Sequence, residues 1–289
     1  MTRAQQLFCI GAAHWDIIGH RPANVALGAD MPGQIIRRPG GVALNIASGL
    51  AAQGLAPALI AAIAQDAPGQ DLRAWLGARG VLTDHLITPA RLPTDTYIAI
   101  EGANGLIAAI AASDALESLG ADMLDNLPES TACVVLDSGL APGVLAELAQ
   151  APRLARRDLR LAAASPAKAA RLAPFLGRMG CCFYLNLAEA GALCATTFPD
   201  SASAARTLIA RGAARVLVTD GPNPAIDATG AGFITATPPR IAPRRVTGAG
   251  DAFAAAHICA ELQGQTRAAA LEAALAAATA HVASPPPEC

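Results

Sequence analysis

Length, composition and charge exclude several classes of protein. The chain has 289 residues, of which 21 are basic and 23 acidic, giving a formal net charge of -2 at pH 7. It is long enough to bury a core in one large domain or two, and its balanced charge gives no reason to expect nucleic acid or a membrane as a partner.

Short apolar runs alternate along the chain with amphipathic or alanine-rich stretches of helical length. This alternation is typical of βαβ units, in which helices cover both faces of a mostly parallel sheet. The predicted strands are 7–13, 58–64, 132–137, 159–163, 181–186 and 215–219. The predicted helices are 42–53, 69–79, 142–149, 167–176, 202–211, 249–263 and 267–282.

Two stretches, 17–39 and 92–110, interrupt this alternation. Both are rich in turn residues and in short β-like pieces. We expect them to form a small separate sheet, while the α/β core comprises 1–16, 40–91 and 111–289. The exposed edges of such a sheet can pair between subunits, so a homodimer is possible.

Polar side chains follow several of the predicted strands. Open parallel sheets bind ligands beyond the carboxyl ends of their strands, so these side chains are candidates for ligand contacts. They are Asp16, Asp137, Asn186 and Thr219. For Asp137 a structural role as a strand-end cap is an equal alternative, and Asn186 has the alternative of a turn residue.

The segment Thr247-Gly248-Ala249-Gly250-Asp251 places small residues and a carboxylate at the start of a predicted helix. The bare backbone N–H groups and the positive end of the helix dipole suit an anion that needs no basic side chain. Asp251 follows them at once, as a general base would. The alternative is an ordinary glycine turn before a helix, because glycine spacing alone is weak evidence.

A second glycine motif, Gly40-Gly41 followed by Asn45, precedes the predicted helix 42–53. A diglycine permits close approach of the backbone to a polyol, and an amide one turn into the helix offers a donor and an acceptor to neighbouring hydroxyls. Taken by itself, a plain turn at the start of a helix explains the same residues equally well.

The cysteines and the N-terminus bear on compartment and redox chemistry. Seven cysteines are scattered along the chain without a C-x-x-C pair, so neither a zinc site nor a disulfide framework is expected. Adjacent Cys181 and Cys182 fall in an apolar run and are interpreted as buried small side chains. The first residues lack the pattern of a signal peptide, which predicts a cytoplasmic protein.

The two glycine motifs lie about two hundred residues apart and together resemble the signatures of the ribokinase-like (PfkB) family of sugar and nucleoside kinases. Further family features fall in order between them: Asp16, the Asn-x-x-Glu pattern of Asn186 and Glu189, and Thr219-Asp220-Gly221. The resemblance covers essentially the whole chain. It implies a three-layer α/β/α core with a mostly parallel central sheet and a small β lid.

The resemblance also implies a reaction, in which ATP with Mg²⁺ phosphorylates a hydroxyl group of a small nucleoside or sugar. Catalysis of such a transfer is mostly positioning and electrostatic stabilisation. The implied catalytic residues are Asp251 as the base and Gly248, Ala249 and Gly250 as the anion hole. The acceptor residues are Asp16, Gly40, Gly41, Asn45 and Asp137, the nucleotide residues are Asn186, Thr219, Gly221 and Thr247, and Glu189 orders the metal through water.

Within the family, the segments 32–43 and 95–110 resemble those of pseudouridine kinases. The resemblance implies phosphorylation of the 5′-hydroxyl of a ribosyl compound, with pseudouridine favoured. Another nucleoside, ribose or a hexose is an alternative acceptor. An alternative of another class is a degenerate member that binds a sugar or nucleoside without catalysis.

The chain departs from the family pattern at two places near the nucleotide. Arg245 stands six residues before Asp251, where many members carry an acidic residue that helps to bind a monovalent cation, so a requirement for potassium is in doubt. The loop Gly221-Pro222-Asn223-Pro224 lacks the second glycine that is usual there. Neither departure removes the base or the glycine turn.

Overall fold

The structure is a computed structural model that describes residues 6–284. Its strands in chain order are β1 (Gln6–Ile10), β2 (His14–His20), β3 (Gln34–Gly40), β4 (Ala58–Ile60), β5 (Thr96–Gly102), β6 (Gly105–Ala112), β7 (Thr131–Asp137), β8 (Asp158–Ala162), β9 (Cys181–Asn186), β10 (Arg215–Asp220), β11 (Asn223–Thr229) and β12 (Gly232–Ala236). Its α-helices are α1 (Val42–Ala52), α2 (Ala67–Ala78), α3 (Asp114–Glu117), α4 (Pro142–Gln150), α5 (Pro166–Ala169), α6 (Leu187–Cys194), α7 (Ser201–Ala210), α8 (Ala249–Leu262) and α9 (Arg267–Ala283). Short 3-10 helices span Ala121–Asn126, Pro152–Leu154 and Ala170–Phe175.

The larger sheet has eight strands in the order β12-β11-β10-β9-β8-β7-β1-β4. All neighbours from β10 to β4 are parallel, and only β11 and β12 are antiparallel at one edge. The predicted α/β class with a mostly parallel central sheet is confirmed.

Alternate residues of each central strand enter different cores. In β1, Leu7 and Cys9 belong to one cluster of buried side chains, whereas Phe8 and Ile10 belong to the other. A strand that is apolar at every position buries both of its faces, which requires helices on both sides of the sheet. The result is the three-layer arrangement, in which the carboxyl ends of the strands are left uncovered for a ligand.

A second sheet has four strands in the order β3-β2-β5-β6. Its strands come from the two irregular stretches, although β2 begins at His14 and therefore includes Asp16. The predicted strand 7–13 is wrong at its end, because the chain leaves the large sheet after Ile10. Gly11, with a φ of 147°, makes the break and lets the chain enter the second sheet.

The helix predicted at 167–176 is also wrong in detail. Only α5 is α-helical, and the following turn at Ala170–Phe175 is a 3-10 helix that contains Pro174. Proline lacks an N–H and its ring clashes with the preceding turn of an α-helix, which explains the change. Elements α6, β11 and β12 were not predicted, because they are short and have little periodicity.

Cysteine burial agrees with the interpretation made from the sequence. The cysteines at 9, 133, 181, 182, 194 and 259 are all buried and all free. Cys289 lies outside the described residues. Within residues 6–284, no helix is both long enough and apolar enough to cross a membrane.

Candidate active site

A cavity of about 700 Å³ lies where the carboxyl ends of the large sheet meet the four-stranded sheet and the start of α8. Nearly all residues predicted for the site line this cavity together. They are Asp16, Gly41, Asn45, Asp137, Asn186, Glu189, Thr219, Gly221, Thr247, Gly248, Ala249, Gly250 and Asp251. Gly40 lies behind Asp16.

The glycine turn before α8 has the geometry of an anion site. Gly248 precedes the helix in the left-handed region, with a φ of 88°, and no side chain caps the first N–H groups. A Cβ on Gly248 would lie 3.0 Å from Cε1 of His281, and the positive φ would strain any residue that carries a side chain. The N–H of Ala249 donates to the carbonyl oxygen of Val246 at 3.1 Å, so the N–H groups of Gly248 and Gly250, together with the helix dipole, are what favour an anion at this end of the cavity.

Asp251 lies in the first turn of α8, half-buried beneath this anion site. Its Oδ2 accepts a hydrogen bond of 2.8 Å from Nδ2 of Asn45. Burial raises the pKa of Asp251 to about 7, and the charges of Asp137 and Glu189 act in the same direction against the Asn45 bond. A carboxylate with a pKa near neutrality is suited to take a proton from a hydroxyl group.

Close packing of α1 against α8 brings Asn45 and Asp251 together across 206 residues of sequence. A Cβ on Gly49 would lie 2.8 Å from the Cβ of Ala255, so glycine in α1 allows the two helices to approach. Gly41, at a φ of 103°, sets the start of α1 so close to Ala12 that a Cβ would lie 2.3 Å from its carbonyl oxygen. The diglycine therefore positions the amide that holds the base.

At the other end of the cavity, Asp16 is held by two cationic or titratable neighbours. Asp16 and Arg38 face each other across β2 and β3, and Nε of Arg38 lies 3.3 Å from Oδ2. Nδ1 of His14 lies 3.3 Å from Oδ1, although the pair is not aligned as a hydrogen bond. A Cβ on Gly40 would lie 2.5 Å from Oδ1, so glycine makes the space for this carboxylate.

Asp137 is fully buried and its two oxygens are already engaged. Oδ2 accepts from the N–H of Ala12 at 2.9 Å, and Oδ1 accepts from the N–H of Gly139 at 2.6 Å. A carboxylate that satisfies backbone donors at the end of a strand is a cap. The geometry favours this alternative over a contact with the acceptor.

Asn186 and Glu189 form a capping box at the start of α6. Oδ1 of Asn186 accepts from the N–H of Glu189 at 2.9 Å, and Oε2 of Glu189 accepts from the N–H of Asn186 at 2.8 Å. Burial raises the pKa of Glu189 to about 7, although hydrogen bonding of its carboxyl group to Asn186 acts in the opposite direction. The Asn-x-x-Glu pattern therefore has a local structural cause in addition to any role toward a ligand.

Thr219 and Gly221 lie at the end of β10 and in the turn that follows, where Gly221 has a φ of 53°. Together with Asn186 they line both the cavity and an adjoining open groove of about 1070 Å³ along α6. These three residues therefore connect the cavity with the open groove.

The described residues contain no group of three or more histidine, cysteine, aspartate or glutamate side chains that could hold a metal ion. Mg²⁺ usually keeps several waters and takes only one or two carboxylates together with substrate phosphates. A single buried carboxylate at the nucleotide end, Glu189, fits a metal that arrives with the phosphates and is ordered through water.

Three further residues at the site were missed as site candidates from the sequence. Arg38 and Lys168 line the cavity, and Nε2 of His281 donates a hydrogen bond of 2.8 Å to the carbonyl oxygen of Thr247. The antiparallel register of β2 and β3 was the signal for Arg38. No local pattern points to His281, because it reaches the turn from α9, 34 residues away in sequence.

Comparisons with known proteins identify the family. Residues 4–286 match the model of the pfkB family carbohydrate kinases. The chain therefore belongs to this family, whose members are phosphotransferases with an alcohol group as acceptor, and the family predicted from the two glycine motifs is confirmed.

More specific similarities are of two kinds. The chain is 30% identical over 100 residues to the pseudouridine kinase of Escherichia coli (strain K12), a match that spans 35% of this chain and only 32% of that relative. A carbohydrate kinase from Agrobacterium tumefaciens is 28% identical with a TM-score of 0.83, over 97% of this chain and 91% of that one. Arabidopsis thaliana ribokinase complexed with ribose and ATP is 20% identical with a TM-score of 0.82, over 96% and 93% of the two chains, and shows the same fold.

Proposed function

We propose that the protein is an ATP-dependent kinase that phosphorylates the 5′-hydroxyl of a ribosyl compound, with pseudouridine as the favoured acceptor. The observation that carries the proposal is the pair formed by Asp251 and the glycine turn. Asp251, whose pKa is raised to about 7, and the N–H groups of Gly248 and Gly250 lie at the same cavity. Deprotonating an alcohol while stabilising a transferring phosphoryl group needs both.

The acceptor is held at the opposite end of the cavity. Asp16 can accept hydrogen bonds from two neighbouring hydroxyls of a ribose ring, while the contact with Arg38 orients its carboxylate. Asn45, which already donates to Asp251, fixes the base relative to the ring. In this arrangement the secondary hydroxyls are anchored and the primary hydroxyl is the one directed toward Asp251.

Phosphoryl transfer then uses the groups around α8. Asp251 takes the proton of the acceptor hydroxyl, and the N–H groups of Gly248 and Gly250 stabilise the charge on the transferring group. The N–H of Ala249 donates to the carbonyl oxygen of Val246, so Ala249 contributes to the shape of the turn. Bound Mg²⁺ would neutralise charge on the nucleotide phosphates. Thr219, Gly221 and Asn186 would hold the nucleotide along the open groove.

Closure of the four-stranded sheet over the acceptor is part of this proposal. The sheet contributes Asp16, Arg38 and Tyr97 to the cavity, so movement of the sheet toward α8 would bring these residues and the acceptor with it. Closure excludes water, which would otherwise receive the phosphoryl group.

The choice of pseudouridine rests on the relative from Escherichia coli and on the acceptor site. The relative's name states its substrate, and the segments 32–43 and 95–110 lie around Arg38 and in β5 and β6, beside the cavity. These segments are where a base attached to the ribose would lie. A pocket that reads the base distinguishes pseudouridine from ribose and from hexoses.

The acceptor test is a panel assay. Purified protein with Mg-ATP is incubated with pseudouridine, uridine, adenosine, ribose and fructose, and phosphorylated products are separated by chromatography. We expect the highest kcat/KM for pseudouridine. If product forms from another acceptor but not from pseudouridine, the choice of pseudouridine is wrong. If ligands bind but no product forms from any acceptor in the panel, the non-catalytic alternative is correct.

The proposal extends to compartment and assembly. Six buried free thiols suit a reducing compartment, so we assign the protein to the cytoplasm.

Ile98 and Ile110 pair across β5 and β6 with 46% and 71% of their surfaces exposed, and a second copy of the chain is the proposed cover. Light scattering after gel filtration should give a dimer that Ile110→Lys dissociates, and a monomeric wild type would overturn the assembly.

A further inference from the structure

Arg245 lies in the loop between β12 and α8, which is fixed to the end of α9. The N–H groups of Arg244 and Arg245 both donate to the carbonyl oxygen of Val282, at 2.9 and 3.2 Å. Nη2 of Arg245 lies 2.9 Å from Nδ1 of His281. Nε2 of the same ring lies 2.8 Å from the carbonyl oxygen of Thr247, one residue before the glycine turn.

The direction of both hydrogen bonds follows from chemistry. A guanidinium can only donate, so Nδ1 of His281 must accept from Arg245. Nε2 then carries the proton and donates to the carbonyl of Thr247. The ring of His281 also packs against Gly248, where a Cβ would lie 3.0 Å from Cε1. Arg245 and His281 thus form a continuous brace that ends on the glycine turn.

Arg245 carries a positive charge that no carboxylate in the described part of the chain balances. Its hydrogen-bond partner is the neutral ring of His281, and its buried Nε has no partner among residues 6–284. Burial lowers the pKa of Arg245, and the charge of Arg38 nearby lowers it further. Arg245 is only half-buried, so water stabilises part of its charge, and the remainder adds positive potential beside the glycine turn, where it would favour an incoming anion.

A monovalent cation does not fit this part of the structure. The family resemblance implies such an ion beside an acidic residue at the position of Arg245. Here a guanidinium stands in that place, and the Thr247 carbonyl, which could have been a ligand, already accepts a hydrogen bond from His281. An ion at this point would meet a like charge and a carbonyl that is already engaged.

We infer that Arg245, through His281, does the work of that cation: it positions the glycine turn and supplies fixed positive charge next to it, so that the enzyme needs no monovalent cation. This inference rests on the proposed kinase function. Both residues are positioning residues, because neither contacts the reacting atoms.

The first arm of the test uses the wild-type protein. Turnover is measured in choline or Tris chloride and then with choline replaced by potassium up to about 0.1 M at constant ionic strength, so that screening does not change. We expect kcat to vary by less than about twofold, well under the tenfold that 1.4 kcal/mol represents. Activation of tenfold or more by potassium would overturn the inference.

The second arm compares neighbouring arginines. Arg245→Met removes the charge and the bond to His281, whereas Arg244→Met removes an equal charge from an exposed side chain and keeps the backbone bonds. We expect Arg245→Met to lower kcat by about tenfold to a hundredfold, as loss of electrostatic stabilisation does, with the acceptor KM unchanged. Arg244→Met should stay near wild type, and equal effects in the two variants would overturn the inference.

Two controls distinguish loss of function from loss of folding in Arg245→Met. Arg245→Lys retains the charge, so it should recover most of the kcat that Arg245→Met loses, while thermal melting reports whether each variant is folded. If Arg245→Met does not fold, the potassium titration of the wild type still tests whether the enzyme needs a monovalent cation. A protein without turnover on any acceptor would refute the kinase proposal itself, which is a different result from turnover that depends on potassium.

Discussion

Two aspartates mark the two ends of the cavity, and their surroundings differ. Asp251 receives a single amide hydrogen bond from Asn45 and has no basic side chain in ion-pair contact within the described residues. Asp16 has the guanidinium of Arg38 and the imidazole of His14 within 3.3 Å. Two side chains of the same type thus have different surroundings: no positive charge among the described side chains lies in contact with the carboxylate of Asp251, whereas a guanidinium balances the charge of the carboxylate of Asp16.

This difference supports the proposed division of roles between the two aspartates. Burial without a cation raises the pKa of Asp251 to about 7, so its carboxylate gains much by taking a proton from an alcohol. The carboxylate of Asp16 is oriented by the guanidinium of Arg38 and is suited instead to accept hydrogen bonds. Environment, and not residue type, separates the base from the anchor.

The largest effect is expected from removing the base. Asp251→Asn keeps the size of the side chain and an oxygen that can accept from Asn45, so the site should stay intact. We expect kcat to fall by about a thousandfold or more, because general base catalysis contributes on that order. Steady-state kinetics measure the loss.

Acceptor affinity is the control for this substitution. Calorimetric titration of the acceptor should give nearly the same Kd for wild type and Asp251→Asn, since the proposal assigns binding of the ring to Asp16 and not to Asp251. A variant that retains turnover within tenfold of wild type would remove Asp251 from the role of base.

The second effect concerns the anchor. Asp16→Asn removes the charge that pairs with Arg38 and weakens the hydrogen bonds offered to two hydroxyls. Charged hydrogen bonds contribute about 1.5–3 kcal/mol, so the acceptor KM should rise by tenfold to a hundredfold with a smaller change in kcat. The matched control is Asp71→Asn, an exposed aspartate that pairs with Arg37 outside the cavity. A pure loss of kcat in Asp16→Asn would contradict the assignment.

The third effect is on pH dependence. A base must be unprotonated to act, so kcat/KM should fall by about tenfold per pH unit below the pKa of Asp251, which lies at about 7. The pKa of Glu189 is also raised to about 7, so either carboxyl group could cause the fall of kcat/KM on the acidic side of the pH profile, here called the acidic limb. Glu189→Gln should keep the acidic limb if Asp251 causes it, and loss of the limb in that variant would assign it to Glu189.

The sequence allowed the two motifs to be found but not their contact. The glycines before Asn45 and Asp251 can be recognised in the sequence because each serves a local purpose. Gly41 and Gly248 both precede a helix and both have a positive φ, which favours glycine. The bond from Asn45 to Asp251 depends on the packing of α1 on α8, in which Gly49 faces Ala255. No single-sequence pattern encodes that distance, although family resemblance placed both residues at the site.

Other parts were beyond sequence reasoning for different physical reasons. The roles of Arg38 and His281 arise from strand register and from a helix end that are remote in sequence. The capping box of Asn186 and Glu189 is local and could have predicted α6, but the helix has only 8 residues and little periodicity. The break of the first strand at Gly11 likewise depends on a single glycine with positive φ.

The smallest expected effect is on the free energy of unfolding, which Asp251→Asn should increase. Folding raises the pKa of Asp251 from 3.8 to about 7, so ionising this side chain costs folding free energy. The cost is absent at a pH below the unfolded value, grows between the two values and is complete above pH 7. Asp251→Asn removes the cost, and since the cavity admits water the gain should be on the order of 2 kcal/mol at pH 8.

Urea unfolding of wild type and Asp251→Asn at several pH values measures this gain. It should shrink steadily as the pH falls from 8 toward 4, because the wild-type carboxyl then becomes protonated and uncharged in the folded protein as well. Asp16→Asn should behave in the opposite way and destabilise at pH 8, because it leaves the guanidinium of Arg38 without its partner. Equal stability changes in the two variants would mean that the two ends of the cavity do not differ in charge compensation, and the division between base and anchor would then lose its physical basis.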